Sequence, residues 1–242
     1  MSAVARKTRA SSDGGRLGEP RKRPLTRRRG RPARLSREHI IDAVFTLLER
    51  EPGAGLTISR IAREVEASPA ALYRHFESLD DLLDSVLARV FAHADADPDV
   101  REAWEDQLDA WMRGLRAQLL RVPAVIALIG RSGRTSPVWL EASSVLVEIL
   151  ERAGLVGRPL AMTYLWILET TTGLVLQEAI LPVSDQLANA RVSRHELGDV
   201  ARVRFAAIHS ELDRIDGDDF FSFGVEQVRA LVALRRQTTR RG

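Results

Sequence analysis

Ser68, Pro69, Ala70, Ala71, Tyr73, Arg74 and His75 lie close together in the chain, and their types suit contact with a nucleic-acid polyanion. A serine followed by proline marks a helix start, with the hydroxyl as cap and the proline at the first helical position. The free N–H groups there attract a phosphate. Ser68, Ala70 and Ala71 are small enough to let the backbone approach base edges. Tyr73, Arg74 and His75 then supply donors for phosphates and edges. Upstream, Thr57 offers a second capping hydroxyl and helix N-terminus, and Ser59 and Arg60 follow it on the same short element as further candidate contacts.

Short helices must position these groups. Ser36 is a candidate N-cap, and Ile41, Val44, Phe45 and Leu48 follow at helical spacing until Pro52-Gly53-Ala54-Gly55 stops the run. Thr57 opens a second helix to about Glu64, with Ile58, Ile61, Ala62 and Val65 facing inward. Ser68 opens a third that is expected to reach Phe76, after a tight turn around Glu66 and Ala67. Two short helices joined in this way form a helix-turn-helix, in which one braces across the backbone and the next enters the major groove. A plain three-helix bundle with no nucleic-acid role is the alternative. Ser78 caps a fourth helix with the stripe Leu82, Leu83, Val86, Leu87, Val90 and Phe91.

The rest of the chain also has a helical period. Residues 100–122 carry Trp104, Leu108, Trp111, Met112, Leu115 and Leu119 on one face. Residues 123–129 and 137–153 form two more helices, the second stopped by Gly154. Residues 159–181 are apolar almost all round, but Glu169, Gln177 and Glu178 within them argue for a buried or interface helix rather than a membrane span. Residues 182–193 read as a loop and 195–215 as a polar helix. Asp218 or Asp219 caps a last helix with Phe221, Val225, Val228 and Val232 in line. No stretch alternates with period two, so the expected fold is all-α.

The charge is divided unevenly. The chain of 242 residues has a formal net charge of +3. Residues 1–34 hold twelve Arg or Lys against only Asp13 and Glu19, so the remainder is acidic. A basic segment on an acidic body suggests a polyanion partner reached through that segment. It contains too few large apolar side chains to offset ordering entropy and is expected to be a disordered arm when free, over 1–35. Almost all of its cations are arginine, a skew that a GC-rich genome would also produce. There is no cysteine, which excludes disulfide scaffolds, cysteine zinc sites and thiol catalysis. No secretory signal opens the chain, and the expected location is cytoplasmic.

Leu56-Thr57-Ile58-Ser59-Arg60-Ile61-Ala62-Arg63-Glu64-Val65, followed by Ser68-Pro69-Ala70-Ala71-Leu72-Tyr73-Arg74-His75-Phe76, resembles the DNA-binding domain of the tetracycline-repressor (TetR) family. The pentad Leu72 to Phe76 is its most recognisable part, and the opening at Ser36 and the pair Leu82-Leu83 also match. The resemblance covers about 35–91. It implies an N-terminal three-helix DNA-binding domain, here 36–83, and a C-terminal helical bundle, here 84–242, that binds a small molecule and dimerises. Two positions depart from the pattern. Glu66 stands where the turn usually has glycine, and Leu79 where a phosphate-binding lysine is often found. Phosphate affinity must then come from elsewhere, with the arm the obvious candidate. Within it, Arg29-Gly30-Arg31-Pro32 resembles an AT-hook core, whose glycine lets the backbone sit deep in the minor groove while the arginines meet its negative potential. A nonspecific solvated tail is the alternative.

For an effector, the candidate contacts are Trp104, Leu108, Trp111, Met112, Leu115, Trp139, Trp166, Glu169 and Thr170, an apolar lining with one acidic group that suits a hydrophobic, even cationic, ligand. The tryptophans equally suit a packed core. Glu169 needs a ligand, a subunit neighbour or solvent. For dimerisation, the candidates are the helix 159–181 and Phe221, Val225, Val228 and Val232. The five histidines share no metal-binding face, and the run His93, Asp95, Asp97, Asp99 lacks the glycine and final glutamate of a calcium loop. There is no phosphate loop or nucleophile elbow, and no cofactor is implied. The expected protein is a ligand-responsive regulator, a repressor, with double-stranded DNA, a small hydrophobic effector and a second copy of itself as partners and no membrane. A nonspecific architectural DNA-binding protein is the first rival and an all-helical enzyme the second.

Overall fold

The computed structural model describes residues 35–51, 54–92, 101–129, 135–193 and 196–239. Residues 35–242 pack as one unit. The candidate arm residues Arg29, Gly30, Arg31 and Pro32 lie outside the described residues, as do Pro52, Gly53, His93, Asp95, Asp97, Asp99 and His195. Every regular element among the described residues is a helix.

The first four helices are α1 (Arg37–Arg50), α2 (Ile58–Glu64), α3 (Pro69–Leu72) and α4 (Leu79–Phe91). Each starts on the hydroxyl expected from the sequence. Ser36, Thr57, Ser68 and Ser78 accept from the backbone N–H groups of His39, Arg60, Ala71 and Asp81, three residues on in each case. Each such bond satisfies one of the donors that a helix start leaves free. The apolar stripes converge, so that Ile40, Val44, Leu47, Ile61, Leu72, Phe76, Leu82 and Val86 share one core.

The second half comprises α5 (Trp104–Arg121), a 3-10 helix (Pro123–Leu128), α6 (Pro137–Arg152), α7 (Gly157–Ile180), α8 (Val183–Ser193), α9 (Asp199–Ala206), α10 (His209–Leu212) and α11 (Gly217–Thr239). Helices α5, α6 and α7 pack against one another, and α11 lies against α7 and α5. Helix α6 ends in a Schellman motif. Gly154 takes φ +91°, its N–H bonds Glu151 O, and the Leu155 N–H bonds Leu150 O. Arg116 of α5 ties the assembly together. Its guanidinium grips both oxygens of Glu178 on α7 at 2.8 and 2.6 Å, pairs with Asp218 of α11 at 2.7 Å, and lies 4.8 Å from the centre of the Phe221 ring. The bond to Glu178 raises the Arg116 pKa above its ordinary value. No helix among the described residues is long and apolar enough to cross a membrane.

Several expectations are corrected. Residues 183–193 are helical, not a loop, and the helix expected over 195–215 is divided at Ala207 and Ile208. Helix α8 buries no residue, so it had no apolar stripe to reveal it and rests on local propensity. The cap of α11 is Asp216, whose carboxylate accepts from Asp219 N–H at 2.8 Å while Asp219 accepts from Asp216 N–H at 3.3 Å, a reciprocal capping pair. Asp218 is left to bind Arg116. Helix α5 starts at Trp104, after a turn at 101–102. The stripe Phe221, Val225, Val228 and Val232, expected at a subunit interface, is buried inside the protomer. Replacing Val228 and Val232 together with arginine should therefore unfold the second half rather than yield folded monomers, because each unpaired buried charge costs several kcal/mol. Loss of a cooperative circular-dichroism melt checks this.

Candidate nucleic-acid interface

The turn between α2 and α3 has the hydrogen bonding of a Schellman motif. The Ala67 N–H bonds Ala62 O at 2.8 Å and the Glu66 N–H bonds Arg63 O at 3.2 Å. Glu66 sits at φ +50°, the one non-glycine residue in the left-handed region among the described residues. The chain accepts that strain, and the turn keeps the geometry that glycine usually provides.

The recognition segment begins as one regular helical turn, Pro69–Leu72. The sequence led us to expect a helix to Phe76. Instead the bonding tightens, with His75 N–H on Leu72 O at 2.8 Å, before Phe76 N–H returns to Leu72 O at 3.1 Å. Leu72 and Phe76 are buried and anchor this segment. Arg37, at the start of α1, closes its far end. Its guanidinium donates to His75 O at 2.6 Å and to Ser85 Oγ at 2.8 Å, pairs with Asp81 at 3.4 Å, and lies 4.2 Å from the centre of the Phe76 ring. Nothing in the spacing around Arg37 marks it in the sequence.

Ser59, Ser68, Pro69, Ala70, Tyr73 and Arg74 are exposed, with Tyr73 at 54%. Together they form a surface of small residues beside an aromatic hydroxyl and a cation. Thr57 is exposed, but its hydroxyl caps α2. Three expected contacts are placed otherwise. Ala71 is buried against the core. Arg60 is turned back, bonding Gly55 O at 3.1 Å and pairing with Glu51. His75 is half-buried and offers its carbonyl to Arg37. Arg50 and Glu64 brace α1 on α2 through two parallel bonds of 3.2 and 2.8 Å, which lower the Glu64 pKa. Leu79 opens α4 with Asp80 and Asp81 in the first turn and no cation there.

The expected effector set is not brought together. Trp104, Leu108, Met112, Leu115 and Trp139 are buried in the core, with Trp139 tilted on Phe91 at 5.5 Å, and Trp111 is half-buried beside them. Trp166 and Glu169 lie on the exposed side of α7, with Thr170 half-buried. This corrects the expectation that an acidic group on α7 shares a lining with the tryptophans of α5 and α6. A helix apolar on nearly every side gives no sequence signal of which side is which.

Two family descriptions fit this arrangement. "Bacterial regulatory proteins, tetR family" matches residues 40–86, and "Tetracyclin repressor-like, C-terminal domain" matches 97–229. The chain belongs to the TetR family. An HTH-type transcriptional regulator of Saccharopolyspora erythraea is 30% identical over 148 residues, which is 61% of this chain and 62% of that relative, so the match spans under two thirds of the relative's length. Among solved structures, apo ActR of Streptomyces coelicolor has a TM-score of 0.69 at 20% identity, covering 86% of this chain and 99% of ActR. BioQ of Mycobacterium smegmatis has a TM-score of 0.62 at 23% identity, covering 84% and 99%. A further structure of Streptomyces coelicolor ActR holds actinorhodin, and a structure of BioQ holds its double-stranded DNA operator. At these identities the two structures share the fold with this member of the TetR family.

The strained Glu66 gives a direct test. Glu66→Gly should raise stability by up to about 1 kcal/mol, since the left-handed penalty exceeds the entropy that glycine adds to the unfolded chain. A denaturation midpoint that rises at constant slope would show it.

Proposed function

We propose that this TetR-family protein is a dimeric transcriptional repressor that binds a palindromic operator and is released by a small hydrophobic molecule. The observation that carries this reading is the recognition segment. Pro69, Ala70, Tyr73 and Arg74 are exposed on a turn fixed at both ends, by the Glu66 turn and by Arg37. The operator on BioQ and the actinorhodin on ActR support the two kinds of partner.

One recognition segment reads too few bases for a genomic site, whereas a twofold dimer reads two half-sites one helical turn apart, ~34–36 Å. The surface that suits a second copy is the outward apolar stripe of Leu165, Leu176 and Ile180 on α7 with Phe220 and Phe223 on α11, all exposed in the protomer. Residues 36–83 are the DNA-binding part and 84–242 the effector and dimer part in this reading, with α4 running unbroken between them. For the effector, Trp104 is the best-supported contact. Its indole Nε1 is buried without a hydrogen-bond partner, and a ligand acceptor would satisfy it. The arm contributes phosphate contacts and, through Arg29-Gly30-Arg31-Pro32, minor-groove contacts beside the palindrome.

Selection from random DNA by the purified protein should return a palindrome. Ala70→Arg should change or abolish that preference, while Tyr73→Ala weakens all sequences alike. Recovery of no consensus would favour the architectural alternative. In full-length protein, Arg29→Ala with Arg31→Ala should flatten the salt dependence of operator binding by ~0.9 per lost phosphate contact. Isotherms that superimpose with wild type at several salt concentrations would remove the arm from the reading.

A further inference from the structure

The chain leaves the helical bundle at the end of α7 and returns to it at the start of α11, with α8, α9 and α10 between. Departure and return are tied at one place. Gly217 lies against Glu178, whose Oε1 is 3.5 Å from where a Cβ would stand. Arg116 holds Glu178 and Asp218 together. As the chain departs, Gln186 donates to the Leu181 carbonyl at 2.8 Å. Residues 183–215 therefore form an excursion from a closed base.

The protomer gives this excursion little support. Its helices have 11, 8 and 4 residues, and none of them buries a side chain. Local propensity holds helices shorter than ~12–15 residues only marginally in water. Val192, Val200 and Val203 are each two-thirds or more exposed, and Phe205 and Ile208 about half. Val200 and Val203, three apart on α9, share a face. Apolar side chains gathered in this way mark a surface that meets another molecule.

Charge and position select that molecule. Residues 183–215 contain five Arg against five Asp and Glu, which leaves no net charge. Arg191 pairs with Asp213 at 2.8 Å, Arg202 with Asp199 at 3.3 Å and Arg214 with Glu211 at 3.2 Å, all inside the excursion. A neutral, internally paired surface exerts no pull on a polyanion or an anionic membrane. It suits another apolar protein surface. The base of the excursion adjoins Ile180 and Phe220, both exposed and both part of the outward stripe of α7 and α11. A second copy seated on that stripe is thereby brought beside the excursion.

We propose that the α8–α10 excursion packs on the second copy, so that the interface extends beyond the stripe of α7 and α11. Val200, Val203 and Phe205 lose their water to the partner, and the short helices gain from it the cover that the protomer does not supply. This arrangement rests on the dimeric reading above, and neither operator nor effector is needed to test it.

Sedimentation of the full-length protein is followed over a dilution series. Val203→Glu with Phe205→Glu changes only exposed positions, so the melt should be unaltered, while the dimer dissociates at about tenfold higher concentration or more. Replacing 184–214 with a short Gly-Ser linker keeps Arg116, Glu178 and Asp218, and should weaken the dimer at least as much with the cooperative melt retained. The chain has no cysteine, so Val203→Cys offers a single attachment point for a maleimide photo-crosslinker. Irradiation should yield a covalent dimer on a denaturing gel. A wild type that is a monomer at micromolar concentration overturns this arrangement and the dimeric reading together. A dimer equally tight in both variants, or a crosslinker that captures no second copy, overturns this arrangement alone. So does an unchanged dimer whose wild type, unlike Val203→Glu with Phe205→Glu, sediments with phosphatidylglycerol vesicles.

Discussion

A recognition segment with one regular helical turn cannot hold its own shape in water, because closing a first turn fixes several dihedrals for a single hydrogen bond. Its position must be imposed from outside, and Arg37 does most of this at the far end. One guanidinium reaches the His75 carbonyl, the Phe76 ring, Ser85 and Asp81. It therefore fixes the end of the segment to α1 and α4 together. The exposed Tyr73 and Arg74 inherit their placement from that contact. Arg37 has about half of its side chain exposed, so its ion pair with Asp81 alone contributes little stability. Its weight is geometric, as a donor shared among three elements.

Helix α4 carries this placement into the second half. It packs on α1 and on α6, and Asp84 accepts from Ser136, at the start of α6, at 2.6 Å. Arg116 plays the matching part farther on, joining α5, α7 and α11 through Glu178 and Asp218. Both arginines join three segments of the chain, and both lie over a phenylalanine ring. Ser143 of α6 and Tyr164 of α7 share a hydroxyl–hydroxyl bond of 2.8 Å, so a ligand that displaced α7 would act on an element joined through α6, Ser136 and Asp84 to α4. How far it shifted DNA affinity would depend on its differential affinity for the two arrangements.

The helix starts were the most legible part of the sequence. A hydroxyl before an apolar stripe has one local physical use, and Ser36, Thr57, Ser68 and Ser78 all serve it. The stop at Gly154 was legible for the same reason, and the turn at Glu66 and Ala67 was legible too, whereas the left-handed backbone that Glu66 adopts in place of glycine shows only in three dimensions. Periodicity was informative about which residues share a face and silent about what that face meets. The spacing of Phe221, Val225, Val228 and Val232 suits a partner helix in another subunit as well as one in the same chain. Only the packed structure shows that this stripe is internal and that Phe220 and Phe223 point outward. The same ambiguity hid the two sides of α7. Helices α8 to α10 bury nothing, so the signal used elsewhere did not exist there.

Charge imposes the last constraint on how this protein can hold DNA. Between residues 36 and 78 there are five arginines, and three are already engaged: Arg37 with Asp81, Arg50 with Glu64, and Arg60 with Glu51. Only Arg63 and Arg74 have no ion pair within the described residues. Nonspecific affinity for a duplex comes from cations that neutralise phosphates and release counterions, and two per protomer release few. The family position at the start of α4 holds Leu79 instead of a cation. The helix-turn-helix is thus built to discriminate more than to adhere: small side chains against the bases, one tyrosine, and most cations used internally to keep the geometry. In the proposed reading, adhesion falls to the twelve basic residues of 1–34. That separates the two tasks physically. Substitutions on the recognition surface would alter which sequence is preferred, while substitutions in the arm would alter how steeply binding depends on salt.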